Sequence, residues 1–361
     1  MSTITVGRES PTGIERADEG RGGDATVNGT RTTTSDAASS RADALFPGFV
    51  EHELATERGT VFARVGGTGP ALLLLHGYPQ THVMWRDVAA VLADRFTVVA
   101  ADLPGYGGSF RPTPAADHTP HSKRALAGDL VQSMRLLGHD RFAVAGHDRG
   151  GRVAYRMALD HPGRVTAVAV LDVVPTGEVW ARADARMALG YWHWAFLAQP
   201  APLPERLIAA DADAFFDFHV RALGLGGDPA RYPAELMAGY RRLLDDAGVV
   251  QAICEDYRAG ATVDRQHDDA DLGHRRIECP LLALWSAGGA LPRFYGDVLD
   301  VWRPWARRVT GQGIGGSHFL VEDRPEQVAD VLSAFLRNAA SLRRPTAPAP
   351  SIPARSIPSG R

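Results

Sequence analysis

The stretch Gly146-His147-Asp148-Arg149-Gly150 places a carboxylate where it could act as a nucleophile. The apolar run Phe142 to Ala145 precedes it and apolar residues at helical spacing follow it, which predicts a buried strand, a very tight turn and a helix. The central residue of such a glycine-framed turn is exposed for attack. An aspartate that attacks a saturated carbon forms an ester, which water can cleave at the carbonyl carbon. The stretch therefore predicts covalent catalysis with Asp148 as the nucleophile.

Two arginines follow this aspartate at the start of the predicted helix. Arg149 and Arg152 are three residues apart, so both side chains can face one pocket. Guanidinium groups bind carboxylates through paired hydrogen bonds, and their charge would keep Asp148 ionised. A surface salt bridge is the ordinary role of a single arginine, but two beside a nucleophile favour an anion site. We expect Arg149 and Arg152 to hold a substrate carboxylate.

Hydrolysis of an ester requires a base and an acid partner later in the chain. His318 lies between the last predicted strand and the last predicted helix, where it could take a proton from water. The residues Ser286 to Ala290 contain no carboxylate, whereas Asp172 directly follows the predicted strand Val165 to Leu171. Asp172 could orient the histidine and stabilise its imidazolium, or it could cap a turn. We predict the catalytic role for both residues.

Such a reaction also needs hydrogen-bond donors for two negative charges, that of the oxyanion formed during ester hydrolysis and that of the leaving group. The backbone N–H groups of Tyr78, after His76-Gly77, and of Arg149 could form an oxyanion hole. The run Tyr191-Trp192-His193-Trp194 and Tyr257 carry N–H and O–H donors on apolar rings, which suit a halide in a dry pocket. Core packing is the commoner role of an aromatic cluster, and composition does not choose among its members.

The elements that must position these residues alternate along the chain, which predicts a mostly parallel sheet covered by helices on both faces. The predicted strands are Thr60 to Val65, Ala71 to Leu75, Thr97 to Ala101, Arg141 to Ala145, Val165 to Leu171, Pro280 to Trp285 and Arg308 to Gly311. The predicted helices are Trp85 to Leu92, Lys123 to Leu137, the helix after Asp148, one through Trp302 and Trp305, and Pro325 to Ala339.

The alternation stops after Pro175 and resumes after Arg275, and the residues between are helical in pattern and rich in aromatics. We therefore predict an α/β core at residues 45–174 and 276–340, with a helical cap at 175–275 over the carboxyl edge of the sheet. Residues 1–44 contain no aromatic residue and no leucine, and the tail 341–361 is rich in proline. Both ends are predicted to be disordered.

Composition excludes several classes of protein. A chain of 361 residues, 45% of them hydrophobic, can form one large α/β domain with an insertion. The net charge of −3 without a basic stripe argues against nucleic-acid binding. The two cysteines, Cys254 and Cys279, fit a reducing compartment better than a disulfide framework. Without a membrane span or an apolar signal region, we expect a cytoplasmic protein.

Several motifs together resemble the fluoroacetate dehalogenases, haloacetate dehalogenases of the α/β hydrolase superfamily. They include LLLLHGYPQTHVMW, GHDRGGRVAYRMALDHPGRV, YWHWAFLAQPAPLPE, CEDYRAGA and GSHFL, and the likeness spans residues 45 to about 337. The resemblance implies conversion of a haloacetate and water to glycolate and halide, without a metal or organic cofactor, by a homodimer. It implies that Asp148, His318 and Asp172 are catalytic. It implies that Arg149 and Arg152 bind the substrate carboxylate, and that His193, Trp194 and Tyr257 bind the halide.

Two other functions are compatible with these residues. An epoxide hydrolase uses the same nucleophile, base and acid, and Tyr191 with Tyr257 could be the tyrosine pair that binds an epoxide oxygen; it has no need for Arg152. A ligand-binding protein on an inactive hydrolase fold is the second alternative. The complete set of Asp148, His318 and Asp172 argues against it, because an inactive site usually loses one member.

Overall fold

The computed structural model describes residues 45–228 and 230–341. The predicted disorder of residues 1–44, and of all but the first residue of the tail 341–361, lies outside the described residues. Within them, no helix combines the length and the apolar character that crossing a lipid bilayer requires.

A single eight-stranded sheet forms the centre of the described part of the chain. Its strands are β1 (Val50–Ala55), β2 (Thr60–Gly66), β3 (Ala71–Leu75), β4 (Thr97–Ala101), β5 (Phe142–His147), β6 (Val165–Leu171), β7 (Leu281–Ser286) and β8 (Val309–Ile314). They lie in the order β1-β2-β4-β3-β5-β6-β7-β8, and only the β1–β2 and β2–β4 pairings are antiparallel. All seven predicted strands are present. The edge strand β1 was not predicted, because Leu54 is its only buried residue.

Helices cover both faces of the sheet. The first three are α1 (Arg86–Leu92), which follows a 3-10 turn, α2 (Lys123–Leu136) and α3 (Asp148–Asp160). Alternate residues of β3 enter two apolar cores: Leu73 and Leu75 pack in the cluster that includes residues of α2 and α3, and Leu72 and Leu74 in the cluster on the other face. This burial on both faces explains the uninterrupted run of leucine in β3.

The segment between β6 and β7 is helical, as the sequence predicted. It contains α4 (Thr176–Ala181), α5 (Ala185–Gly190), α6 (Trp192–Leu197), α7 (Leu203–Ala210), α8 (Ala212–Ala222), α9 (Ala234–Arg241), α10 (Ala247–Ala261) and α11 (Val263–Asp271). Buried contacts such as that of Lys123 with Asp256 and Asp264 join this segment to the core. Because such contacts cross the predicted boundaries, the division into a core and a cap at residues 175 and 275 stays a prediction.

The last part of the chain differs from the prediction at one helix. A short helix, α12 (Ala290–Tyr295), comes first, and the helix expected through Trp302 and Trp305 is α13 (Val298–Trp302), which ends at Trp302. Trp305 lies beyond α13, because Pro304 between the two tryptophans has no N–H to continue the helical hydrogen bonds. The chain then forms β8, α14 (Leu320–Asp323) and α15 (Pro325–Ser341), which packs on the same face as α1.

Candidate active site

Asp148 occupies a sharp turn between β5 and α3. Its φ of +44° lies in the left-handed region, which is costly for a residue with a side chain. A Cβ atom on Gly146 would lie 2.3 Å from the carbonyl oxygen of Gly150, and one on Gly150 would lie 2.4 Å from that of His76. The two glycines therefore allow the turn to close, and the turn presents Asp148 at the carboxyl edge of the sheet.

The carboxylate of Asp148 is buried and accepts a hydrogen bond. Its Oδ2 accepts from the backbone N–H of Tyr78 at 3.0 Å, which is one of the two oxyanion donors expected from the sequence. Burial alone would raise the pKa of Asp148, but the charges of His318 and Arg149 outweigh it and hold that pKa below its ordinary value. Asp148 is therefore an anion at neutral pH.

His318 and Asp172 form a hydrogen-bonded pair at the same edge of the sheet. The Nδ1 atom of His318 lies 2.6 Å from Oδ2 of Asp172, whose Oδ1 accepts from the backbone N–H of Ser286 at 2.9 Å. Asp172, directly after β6, also has a left-handed φ of +52°. Burial lowers the pKa of His318, but the hydrogen bond and the charge of Asp172 raise it above its ordinary value. The arrangement is that of a base held by a carboxylate.

These groups line one cavity of about 270 Å³ between the sheet edge and the helical segment. Its buried end is lined by Tyr78, Asp148, Arg152, Asp172, Tyr191, His193, Trp194, Tyr257 and His318. Its outer end is lined mostly by small residues, among them Ala222, Gly224, Gly288, Gly289 and Ala290. The cavity thus brings together most of the residues that the sequence singled out.

The two arginines have different positions. Arg152 lines the cavity and its Nη1 donates to the carbonyl oxygen of Val174 at 2.9 Å. Arg149 is not among the cavity-lining residues; its Nε donates to the carboxylate of Asp256 and its Nη2 to the backbone oxygen of Asp256, at 2.8 Å. Of the three guanidinium nitrogens of Arg149, Nη1 is the one without a hydrogen-bond partner among the described residues. The guanidinium of Arg149 also lies 4.1 Å from the ring centroid of Tyr257.

The structure selects among the aromatic candidates. Tyr191, His193, Trp194 and Tyr257 line the cavity, whereas Trp192 packs against Phe196, Phe215 and Phe218 of the helical segment. Burial lowers the pKa of His193 well below its ordinary value and raises that of Tyr257 well above it. Both side chains are therefore neutral and can donate one hydrogen bond each into the cavity.

Three further residues beside the site, Asp256, Lys123 and His219, were missed from the sequence. Asp256 lies between Arg149 and the buried Lys123. His219 lies against the rings of Tyr78 and His193. Nothing in the local sequence indicates these contacts, because their partners are far away in the chain. Among the residues that the structure describes, no His, Cys, Asp and Glu side chains form a group that could hold a metal ion.

Comparison with known proteins places this chain in a family. A family model for the alpha/beta hydrolase fold matches residues 70–226. The chain is 43% identical over 297 residues to a fluoroacetate dehalogenase from Burkholderia sp., covering 82% of this chain and 97% of the relative. The chain belongs to the α/β hydrolase family. It also resembles a soluble epoxide hydrolase from Corynebacterium sp. strain C12, with 31% identity covering 74% of this chain and 91% of the relative.

A solved structure agrees with this assignment to the α/β hydrolases. It is a variant of a Pseudomonas aeruginosa protein, provisionally described as an epoxide hydrolase and solved with bound MFA. It superposes with a TM-score of 0.76 at 46% identity, covering 82% of this chain and 99% of that one. The fold predicted from the sequence, an α/β hydrolase with a helical insertion, is confirmed, and the chain is a hydrolase.

Proposed function

We propose that this hydrolase converts a haloacetate and water to glycolate and a halide ion through an ester on Asp148. One observation carries the proposal: a buried, anionic Asp148 shares a small cavity with the cation of Arg152 and the neutral donors of His193, Trp194 and Tyr257. A nucleophile, an anion-binding group and a set of leaving-group donors are the three parts that displacement of a halide next to a carboxylate needs. The similarity to a fluoroacetate dehalogenase supports the same substrate class.

In the first step, Arg152 binds the substrate carboxylate from the cavity wall, and Arg149 joins it through its unpartnered Nη1 once that buried side chain turns toward the cavity. Oδ2 of Asp148 is held by the Tyr78 N–H, so Oδ1 attacks the α-carbon while the carbon–halogen bond breaks. The halogen leaves with the bonding electrons as an anion. Donors from His193, Trp194 and Tyr257 stabilise it, which matters most for fluoride because that ion is strongly basic and strongly hydrated.

In the second step, His318 takes a proton from a water molecule that attacks the carbonyl carbon of the Asp148 ester. Negative charge develops on Oδ2, next to the N–H of Tyr78, and Asp172 stabilises the imidazolium. The C–O bond between the carboxyl carbon and the former Oδ1 then breaks, and His318 returns its proton to the glycolate oxygen. Asp148 keeps one oxygen from water, and the second water proton goes to solvent.

A His318→Asn variant tests this mechanism because it should stop after the first step. With chloroacetate we expect one chloride per site and an added carboxymethyl group on the peptide that contains Asp148, detected by mass spectrometry. The matched control Asp148→Asn should stay unmodified and release no chloride. An unmodified His318→Asn protein, together with a wild type that releases no halide, would instead favour a ligand-binding protein.

Hydrolysis of an epoxide is the second candidate, since Tyr191 and Tyr257 both line the cavity and an epoxide hydrolase is among the relatives. The same nucleophile and base would serve, but the buried cation of Arg152 would have no partner in a neutral epoxide. Parallel assays on fluoroacetate, chloroacetate and styrene oxide separate the two functions. Turnover of the epoxide alone would contradict the assignment of Arg152 to a substrate carboxylate.

A further inference from the structure

A buried histidine that the proposed mechanism does not use lies directly behind the halide-binding donors. His219, near the end of α8, is 1% exposed. Its ring stacks on that of Tyr78, with centroids 5.5 Å apart, and its Nδ1 lies 3.3 Å from the Tyr78 hydroxyl. Its ring centroid is 4.2 Å from that of His193. His219 therefore connects the loop after β3 to the cavity-lining His193.

Two nitrogen atoms on these neighbouring rings have no partner. Nε2 of His219 and Nδ1 of His193 are both buried without a hydrogen bond among the described residues. A buried polar atom without a partner is costly, so such atoms usually find one. The two unpartnered nitrogens are on neighbouring rings, whose planes are tilted by 40°, and a rotation of the rings that paired them would satisfy both atoms.

We propose that His219 is a positioning residue that fixes the tautomer of His193. The Tyr78 hydroxyl donates to Nδ1 of His219, Nε2–H of His219 donates to Nδ1 of His193, and His193 then carries its proton on Nε2. This proton would then face the departing halide. Since it is the proposed function that makes His193 a donor to a halide, the inference rests on that function.

The tautomer matters because a neutral imidazole has only one N–H, and its position depends on what the other nitrogen bonds to. If His193 carried its proton on Nδ1, it would present a lone pair to the halide and repel it. Burial lowers the pKa of His219 to about 3, and that of His193 also falls well below its ordinary value. Since both rings stay neutral, the tautomer is what decides whether His193 donates.

The consequence is a dependence on the leaving group. Fluoride gains more from a hydrogen-bond donor than bromide does, since it is the more basic and more strongly hydrated ion. The substrate carboxylate is bound elsewhere, at Arg152. Removal of His219 should therefore lower kcat for fluoroacetate much more than kcat for bromoacetate, and should leave KM almost unchanged.

The test compares His219→Leu with His219→Gln, whose amide can accept from Tyr78 and donate to His193. For His219→Leu we expect kcat on fluoroacetate to fall about 10- to 100-fold, as for the loss of one hydrogen bond to a charged group. For bromoacetate we expect a loss of less than about threefold, and His219→Gln should recover most of the fluoroacetate activity. The control Phe216→Leu, a buried change on the same helix, should affect both substrates equally.

Nitrogen-15 NMR of histidine-labelled protein supplies a readout that does not depend on turnover. In the wild type we expect the His193 signals of a proton on Nε2 and a hydrogen-bonded Nδ1, and in His219→Leu a mixture of tautomers. An equal loss of kcat on fluoroacetate and bromoacetate in His219→Leu, or an Nδ1-protonated His193 in the wild type, would overturn the inference. A wild type that releases no halide but shows the expected signals would refute the proposed function and leave the hydrogen-bond relay standing.

Discussion

Removal of Arg152 should separate recognition of a carboxylate from the rest of catalysis. The side chain lines the cavity beside Asp148 and uses Nη1 on the carbonyl oxygen of Val174, which leaves Nη2 for a substrate because Nε is buried. One hydrogen bond from a charged donor contributes about 1.5–3 kcal/mol. Since about 1.4 kcal/mol changes a rate tenfold, Arg152→Met should lower kcat/KM for chloroacetate by about 10- to 150-fold.

The assay measures chloride release from chloroacetate and from neutral chloroacetamide, which lacks the charge that Arg152 would bind. For Arg152→Met we expect the large loss on chloroacetate only. The matched control is Arg293→Met, which removes an exposed arginine at the outer end of the same cavity, bonded to the carbonyl oxygen of Gly289. Exposed charges contribute little, so this control should change either rate by less than about threefold. Equal losses on both substrates in Arg152→Met would refute carboxylate binding.

The same contacts predict a pH profile, a loss of stability and a wider substrate range. Burial lowers the pKa of His318, but Asp172 raises it above the ordinary value of 6.5. Since the base must be neutral, kcat should fall as the pH drops through the pKa of His318, which puts the acidic limb of the pH profile above pH 6.5. Asp172→Asn should lower kcat about 10²–10⁴-fold and move this limb to lower pH; a profile that does not move would contradict the pairing. Asp256→Asn removes a charge between Arg149 and Lys123 and should lower the free energy of unfolding by about 3–5 kcal/mol in urea denaturation, whereas an unchanged midpoint would show that the network is not stabilising. The cavity of about 270 Å³ exceeds the ~150 Å³ that holds benzene, so 2-chloropropionate should also release chloride, and its complete inertness would show that the outer end is closed to substituents.

The sheet was predictable because its buried strands carry uninterrupted apolar runs. The bounds of β3, β4 and β6 match the prediction residue for residue. The edge strand β1 was missed because it faces solvent and lacks such a run. The helix expected through Trp302 and Trp305 was wrong at its end, because Pro304 between the two tryptophans has no N–H to continue the helical hydrogen bonds. Local pattern therefore predicts buried elements better than edges and breaks.

At the site, residue types and chain order predicted the groups that line the cavity but not the contacts that orient them. Asp256 contacts Arg149 across 107 residues, and His219 contacts Tyr78 across 141. Neither pairing leaves a local signal, since each depends on how the helical segment packs on the core. For the same reason the sequence could not show that Asp256 occupies most of the Arg149 guanidinium, or that Trp192 lies outside the cavity.

The most direct test of the ester on Asp148 is a single turnover in water labelled with oxygen-18, with enzyme in excess over chloroacetate. Because water attacks the carboxyl carbon of Asp148, we predict that the label enters that side chain and that the glycolate is unlabelled. Mass spectrometry of the peptide containing Asp148 and of the product measures both. Label in the glycolate with none in Asp148 would mean that water attacks the substrate directly, and would contradict the covalent mechanism.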